Sequence, residues 1–160
     1  MRLTHFGDSY DVVKQSLLRW LAPLGTWAAH PMFTELVAQD DAAAFGRFLN
    51  APLLSSDQLT PKTDRGAYFA VARTCSSHVF LDPDTGLRLM RRGCKKGPAY
   101  VFGAELQAIA LDRPDRLTLV FDQSLSRRAQ HGALVEKLSG VGSGNSGRPI
   151  PEILARLSAP

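Results

Sequence analysis

The chain predicts a single-domain α/β fold of Rossmann-like type, a mainly parallel sheet flanked by helices, and three observations predict it. Two apolar runs, Val79-Phe80-Leu81 and Leu117-Thr118-Leu119-Val120-Phe121, read as buried strands, and each runs straight into a carboxylate, Asp82 or Asp122. A helical pattern through Phe102, Leu106, Ile109 and Ala110 lies between them, the order expected of a parallel βαβ unit. The 160 residues, 44% hydrophobic and 21% charged, suffice to bury a core without disulfide or metal staples.

The elements follow in order. Asp8 or Ser9 is a suitable N-cap, Asp11 sits in the favourable first turn, and Val13, Leu17, Trp20, Leu21 and Leu24 recur at helical spacing. They predict an amphipathic helix closed around Pro23 and Gly25, with those five side chains as its apolar face. Thr26 to Phe33 reads as a strand interrupted by Pro31, with its core at 26–30. Asp40 and Asp41 then cap a helix through Ala42, Phe45, Phe48 and Leu49 that ends at Asn50-Ala51-Pro52. A polar loop through Thr60 to Asp64 leads to Tyr68 to Ala72, read as helical, and then to a strand over 77–82 that Pro83 stops. The Phe102 helix ends at Arg113-Pro114, before a strand over 116–122. The α/β domain is expected to span 1–139, with a further helix through Leu134, Val135 and Leu138, and a shortened C-terminal part. Residues 140–160 read as a flexible Gly-rich segment and a short terminal helix from Pro151. That glycine run lacks the Lys-Ser/Thr ending of a phosphate loop and follows no strand, so it reads as a linker.

The chemistry concentrates at Ser77 to Gly86. Ligands of open α/β sheets bind beyond the carboxyl ends of the strands, and Asp82, Asp84 and Asp122 all emerge there, which makes them the candidate catalytic residues. The same three acids, with Asp8, Asp11 or Glu35 as further candidates, could hold a divalent cation such as Mg2+ for phosphodiester cleavage, because hard cations favour oxygen ligands. Each acid could instead cap a turn or the following helix, since Asp-Pro-Asp-Thr-Gly is also a good turn sequence. Nucleophilic catalysis has less support: Ser77 beside His78, and Ser124 after Asp122, are contiguous residues rather than a triad, and no GxSxG elbow is present. Cys75 and Cys94 read as free thiols, and the four histidines are too scattered for a zinc pattern.

Charge is unevenly placed. The formal net charge is +4, and between Asp84 and Glu105 there is no acid, while Arg88, Arg91, Arg92, Lys95 and Lys96 cluster directly after the Asp-Pro-Asp strand end. Such a segment, with Arg127 and Arg128 contributing from the neighbouring strand end, is a candidate nucleic-acid-binding surface. No stretch approaches the ~18 apolar residues of a membrane span, and the opening residues lack a signal-peptide core, so a cytoplasmic protein without a membrane partner is expected.

The helix with Lys14 and Leu17-Leu18-Arg19-Trp20-Leu21, a strand, Val79-Phe80-Leu81-Asp82-Pro83, a helix, then Leu119-Val120-Phe121 with Ser124 and Arg127 downstream, form an order of blocks. That order resembles Rossmann-like methyltransferases, nearest to the three-Cys-motif partner family and more distantly the ribosomal RNA large-subunit methyltransferase J group. The resemblance spans roughly residues 8 to 128. It implies S-adenosylmethionine as cofactor, nucleic acid as substrate, and Asp82 and Pro83 as residues lining the cofactor and substrate site. The chain departs from the pattern twice: Ala29 to Glu35 holds no glycine where the family's cofactor loop falls, and Asp84 stands where an aromatic is expected after Asp-Pro. No strand-like run follows Leu138, so the sheet is expected either to have an open edge or to pair with a second copy as a homodimer. Three functions follow as expectations: a methyltransferase-like protein acting on or binding nucleic acid, a metal-dependent nuclease, and a non-catalytic binding module.

Overall fold

The computed structural model describes residues 6–89 and 96–123. The chain divides into two compact units, Met1–Ser124 and Leu125–Pro160, and all the described residues belong to the first. The expected helix near Leu134, the Gly-rich segment and the boundary at 139/140 lie outside the described residues.

The fold is α/β, with a mostly parallel sheet between helices. Its strands β1 (Trp27–His30), β2 (His78–Leu81) and β5 (Thr118–Val120) pair in parallel in the order β1-β2-β5. Two further strands, β3 (Gly86–Arg88) and β4 (Tyr100–Phe102), form a separate parallel pair. The register aligns the strand ends: His30 lies opposite Leu81, and Leu81 opposite Val120. Pro31, Asp82 and Phe121 are therefore the first residues beyond the sheet on one shared edge. That parallel arrangement is the one the acid-terminated runs predict, with the strands trimmed to their ladder-forming cores. Every residue of β1 and β2 is buried, as expected of parallel strands covered on both faces. The outer edge of β1 is closed by residues 52–54, where the Ala29 N–H donates to the Pro52 carbonyl (2.9 Å) and the Leu54 N–H to the Ala29 carbonyl (2.8 Å).

Helices α1 (Ser9–Leu21) and α2 (Gln39–Leu49) contribute to one apolar cluster, and α3 (Arg65–Thr74) and α4 (Gly103–Asp112) to the other. Leu18, Ala42, Phe45 and Leu49 meet Trp27, Ala29 and Phe80 in the first. Tyr68, Phe69, Ala72 and Ile109 meet Val79 and Leu81 in the second. The alternation along β2 sends Phe80 to one layer and its neighbours to the other, so Asp82, two residues beyond Phe80, is aimed at the α1 side. Phe80 is fully buried, and truncating such a residue to Ala costs about 3–5 kcal/mol.

Local chemistry fixes the helix ends. Asp8 caps α1, its Oδ1 accepting from the backbone N–H of Tyr10 (2.9 Å) and Asp11 (3.0 Å), and Asp64 caps α3 in the same way through Gly66 and Ala67. The α2 helix begins after Ala38, which offers no side-chain cap; Asp40 and Asp41 lie inside its first turn, where they favour the helix dipole rather than capping it as expected. Asn50 ends α2 in the left-handed conformation at φ 54.

The largest correction concerns α1. Its fully buried residues are Asp11, Lys14 and Leu18, whereas Val13, Trp20 and Leu24 of the expected apolar face are 52%, 67% and 54% exposed. The helix is turned so that two charged side chains enter the interior, and the reason lies at the sheet edge.

Candidate functional site at the carboxyl edge of the sheet

Asp82 follows the central strand and is 1% exposed, its backbone N–H donating to the His30 carbonyl at 3.0 Å. Lys14, one turn into α1, places its Nζ 2.9 Å from Asp82 Oδ2 and 3.0 Å from Asp11 Oδ1. The other oxygen of Asp11 accepts from the Gly7 N–H at 3.0 Å, so the acid also ties down the turn before the helix. The Lys14 ammonium lies 5.0 Å from the centre of the Phe121 ring, beyond the end of β5. The interior turn of α1 is thus explained by one ion cluster, which joins a helix near the start of the chain to a strand end 68 residues later.

The cluster is not fully satisfied. Among the described residues, Asp82 Oδ1 is buried without a hydrogen-bond partner. Burial raises the Asp82 carboxyl from its ordinary value to about 6, against the pull of Lys14. Burial alone would lower the Lys14 ammonium, but the carboxylates of Asp82 and Asp11 outweigh it and hold it above its ordinary value. The asymmetry follows from the geometry: Lys14 serves two carboxylates, while the Asp82 side chain receives one donor among the described residues and shares it.

The other sequence-predicted acids stand differently. Asp122 lies on the same edge, against Gly86: a Cβ placed on Gly86 would fall 1.9 Å from Asp122 Oδ1, so this glycine, at φ +142, lets the carboxylate approach the turn. The Gln123 N–H donates to the Thr85 carbonyl at 3.1 Å, which fastens β5 to that turn. Asp84 is half-buried in the turn itself, and Pro83 beside it is buried. Of the further acids considered, Asp11 joins Asp82 through Lys14, and Asp8 serves as the helix cap. Lys14 was not among the expected site residues; the available signal was an Asp11/Lys14 pair at i, i+3 in a helix whose register otherwise reads apolar.

On the far side of the sheet, His30 ends β1 fully buried, and burial lowers it to about 4, so it is neutral. Its Nε2 lies 3.3 Å from the Tyr68 carbonyl, and among the described residues its Nδ1 has no hydrogen-bond partner, nor does the buried Tyr68 hydroxyl.

The basic segment is bounded at both ends by the β3–β4 pair, whose first residue, Gly86, adjoins Asp122 at the sheet edge. Arg88 ends β3, exposed, with its guanidinium 5.9 Å from the Tyr100 ring centre, and Lys96 precedes the 3-10 turn Gly97–Ala99 that leads into β4. Arg91, Arg92, Lys95, Arg127 and Arg128 lie outside the described residues, as does Cys94.

No family model, curated protein or solved structure matches the chain. The cofactors implied by the sequence resemblance can be tested against the residues themselves. The loop after β1 is filled from within: His30, Pro31, Met32 and Phe33 are all buried, and Met32 adopts the left-handed conformation, φ 50, that a glycine would supply there. The Met32 side chain packs into the core with Leu59 and Tyr68, and residues 29–35 hold no glycine to let backbone approach a cofactor closely, so the loop does not match the one that S-adenosylmethionine binding implies. Among the described residues no group of three His, Cys, Asp or Glu is placed to hold a metal, and the cation on Asp82 is Lys14. Asp82, Asp84 and Asp122 share an edge but do not form a metal centre there. No described helix is long and apolar enough to cross a membrane.

Proposed function

We propose that this chain is a nucleic-acid-binding α/β module of Rossmann-like, methyltransferase-type architecture, which holds the phosphate backbone on the basic segment 88–96. The observation that carries the reading is the β3–β4 pair, which starts at the carboxyl edge of the sheet and flanks both ends of an acid-free basic segment. Exposed Arg88 and Lys96 mark the two ends, and phosphate contacts of this kind supply affinity without sequence readout. Binding is favoured over methyl transfer because the loop after β1 holds no glycine, and over metal-dependent cleavage because the cation beside Asp82 is the Lys14 ammonium and no described group of three acids converges there. A role in catalysis for Asp82 keeps one observation on its side, the unpartnered buried oxygen.

Binding of labelled single- and double-stranded oligonucleotides across a salt series tests the reading. Affinity should fall with salt, the log–log slope reporting the phosphates neutralised, and replacing Arg88, Arg91, Arg92, Lys95 and Lys96 by Ala should abolish binding. Salt-independent binding, or binding that survives the loss of all five charges, refutes it. A rise in melting temperature with S-adenosylmethionine would restore the methyltransferase reading, and one with Mg2+ or Mn2+ the nuclease reading.

A further inference from the structure

The first two turns of α1 are inside out. Their inward residues are Asp11 and Lys14, 2% and 3% exposed, while Tyr10, Val12 and Val13 are 52%, 49% and 52% exposed. The apolar anchor of the helix comes later: Leu18 enters the core, and the Trp27 indole N–H donates to the Leu21 carbonyl at 3.1 Å. The early turns are held by the Lys14–Asp82 pair, by contacts of Tyr10 and Lys14 with the Phe121 ring, and by the Gln15 side-chain amide, which donates to the Phe48 carbonyl.

We propose that these turns are a strap over the carboxyl edge, and that Lys14 is an internal occupant of the place on Asp82 that a ligand's primary ammonium takes when the strap lifts. Three features support it. Asp11 and Lys14 are paired with each other at 3.0 Å within one helix turn, so they leave together and neither charge departs alone. Asp82 stays with the sheet and keeps its need for a cation. Lys14 divides its donors between two carboxylates and leaves Asp82 Oδ1 unpartnered, whereas an ammonium not shared with Asp11 can donate to both Asp82 oxygens. The strap is independent of whether nucleic acid binds the basic segment.

Native-state hydrogen exchange on the wild-type chain tests the strap, with butylammonium chloride as the probe and tetramethylammonium chloride, which has no N–H, as the control at equal ionic strength. Amides of Asp11 to Ser16 should exchange at least about tenfold faster than those of Phe69 to Arg73, and butylammonium alone should speed the former further. In Lys14→Ala, where the place is vacated, butylammonium should raise the melting temperature more than the control does. Exchange of the early α1 amides only together with the α3 amides would overturn the strap. Equal effects of the two cations would overturn the ligand assignment, whether or not the Lys14→Ala variant folds, because the wild-type exchange reads it independently.

Discussion

Two buried ion clusters lie on opposite sides of this sheet, and they are built to different standards. Arg65, at the start of α3, bonds both oxygens of Glu105, at 2.5 Å and 2.7 Å, and donates to the Tyr100 and Gly97 carbonyls. Its guanidinium is flanked by Phe69 and Phe102, with ring centres at 5.4 Å and 4.8 Å, and Glu105 also accepts from the Phe102 N–H at 2.9 Å. Its donors and the Glu105 oxygens are engaged in fixing α3, β4 and α4 to one another. Among the described residues around Asp82, one ammonium serves two acids, and one acid oxygen is left over. A saturated cluster is a staple; an unsaturated one, placed where α/β sheets receive ligands, is the candidate site.

That contrast can be broken by substitution. Arg65→Ala leaves Glu105 short of its partner and should cost about 3–5 kcal/mol in denaturant unfolding, with little change in any binding at the basic segment. A loss below about 1 kcal/mol would remove the staple from the comparison. Gly86→Ala comes next: the residue's φ of +142 and the 1.9 Å approach of Asp122 Oδ1 make a methyl group strained there, and about 2 kcal/mol of destabilisation is expected. If unfolding shows no loss, the turn does not hold Asp122 as described.

Asp82→Asn sharpens the comparison through its pH dependence. The folded-state value of Asp82, about 6, lies above its ordinary 3.8, so the folded chain takes up this proton more readily than the unfolded one. The cost of burying the charge is therefore present above about pH 6 and is relieved as pH falls from there toward the ordinary value. Asparagine cannot take that relief. Near neutral pH the substitution should cost about 1 kcal/mol, and its penalty relative to wild type should grow by up to about 3 kcal/mol in acid, measured by unfolding at matched pH. A penalty that shrinks in acid would mean that the Lys14 pairing outweighs burial. The smallest effect on stability is expected for Arg88→Ala with Lys96→Ala, within about 0.5 kcal/mol of wild type, while the salt slope of oligonucleotide binding falls by about 2.

Much of the sheet was legible in the sequence because its signals are local. Val79 to Leu81 and Leu117 to Phe121 are apolar runs with acids at their ends, and parallel pairing follows from the helix between them. Asp82 was legible for the same reason. The orientation of α1 was not, because Val13, Leu17, Trp20, Leu21 and Leu24 outnumber the inward charges and periodicity weighs numbers. Only Asp82, far along the chain, makes an interior Lys14 stable. The β3–β4 pair escaped because three-residue strands carry almost no pattern, and Arg88 reads as loop. Asp40 and Asp41 lie two and three positions past the N-cap, Ala38, an error of boundary rather than of type.

The claim that Asp82 is the under-satisfied acid of this fold is tested most directly by its own titration. Following its side-chain carboxyl carbon by NMR through the pH range, with Asp82→Asn to assign the signal, should give a midpoint near 6. A midpoint at or below the ordinary 3.8 would show an acid fully compensated by Lys14, a second staple rather than a site.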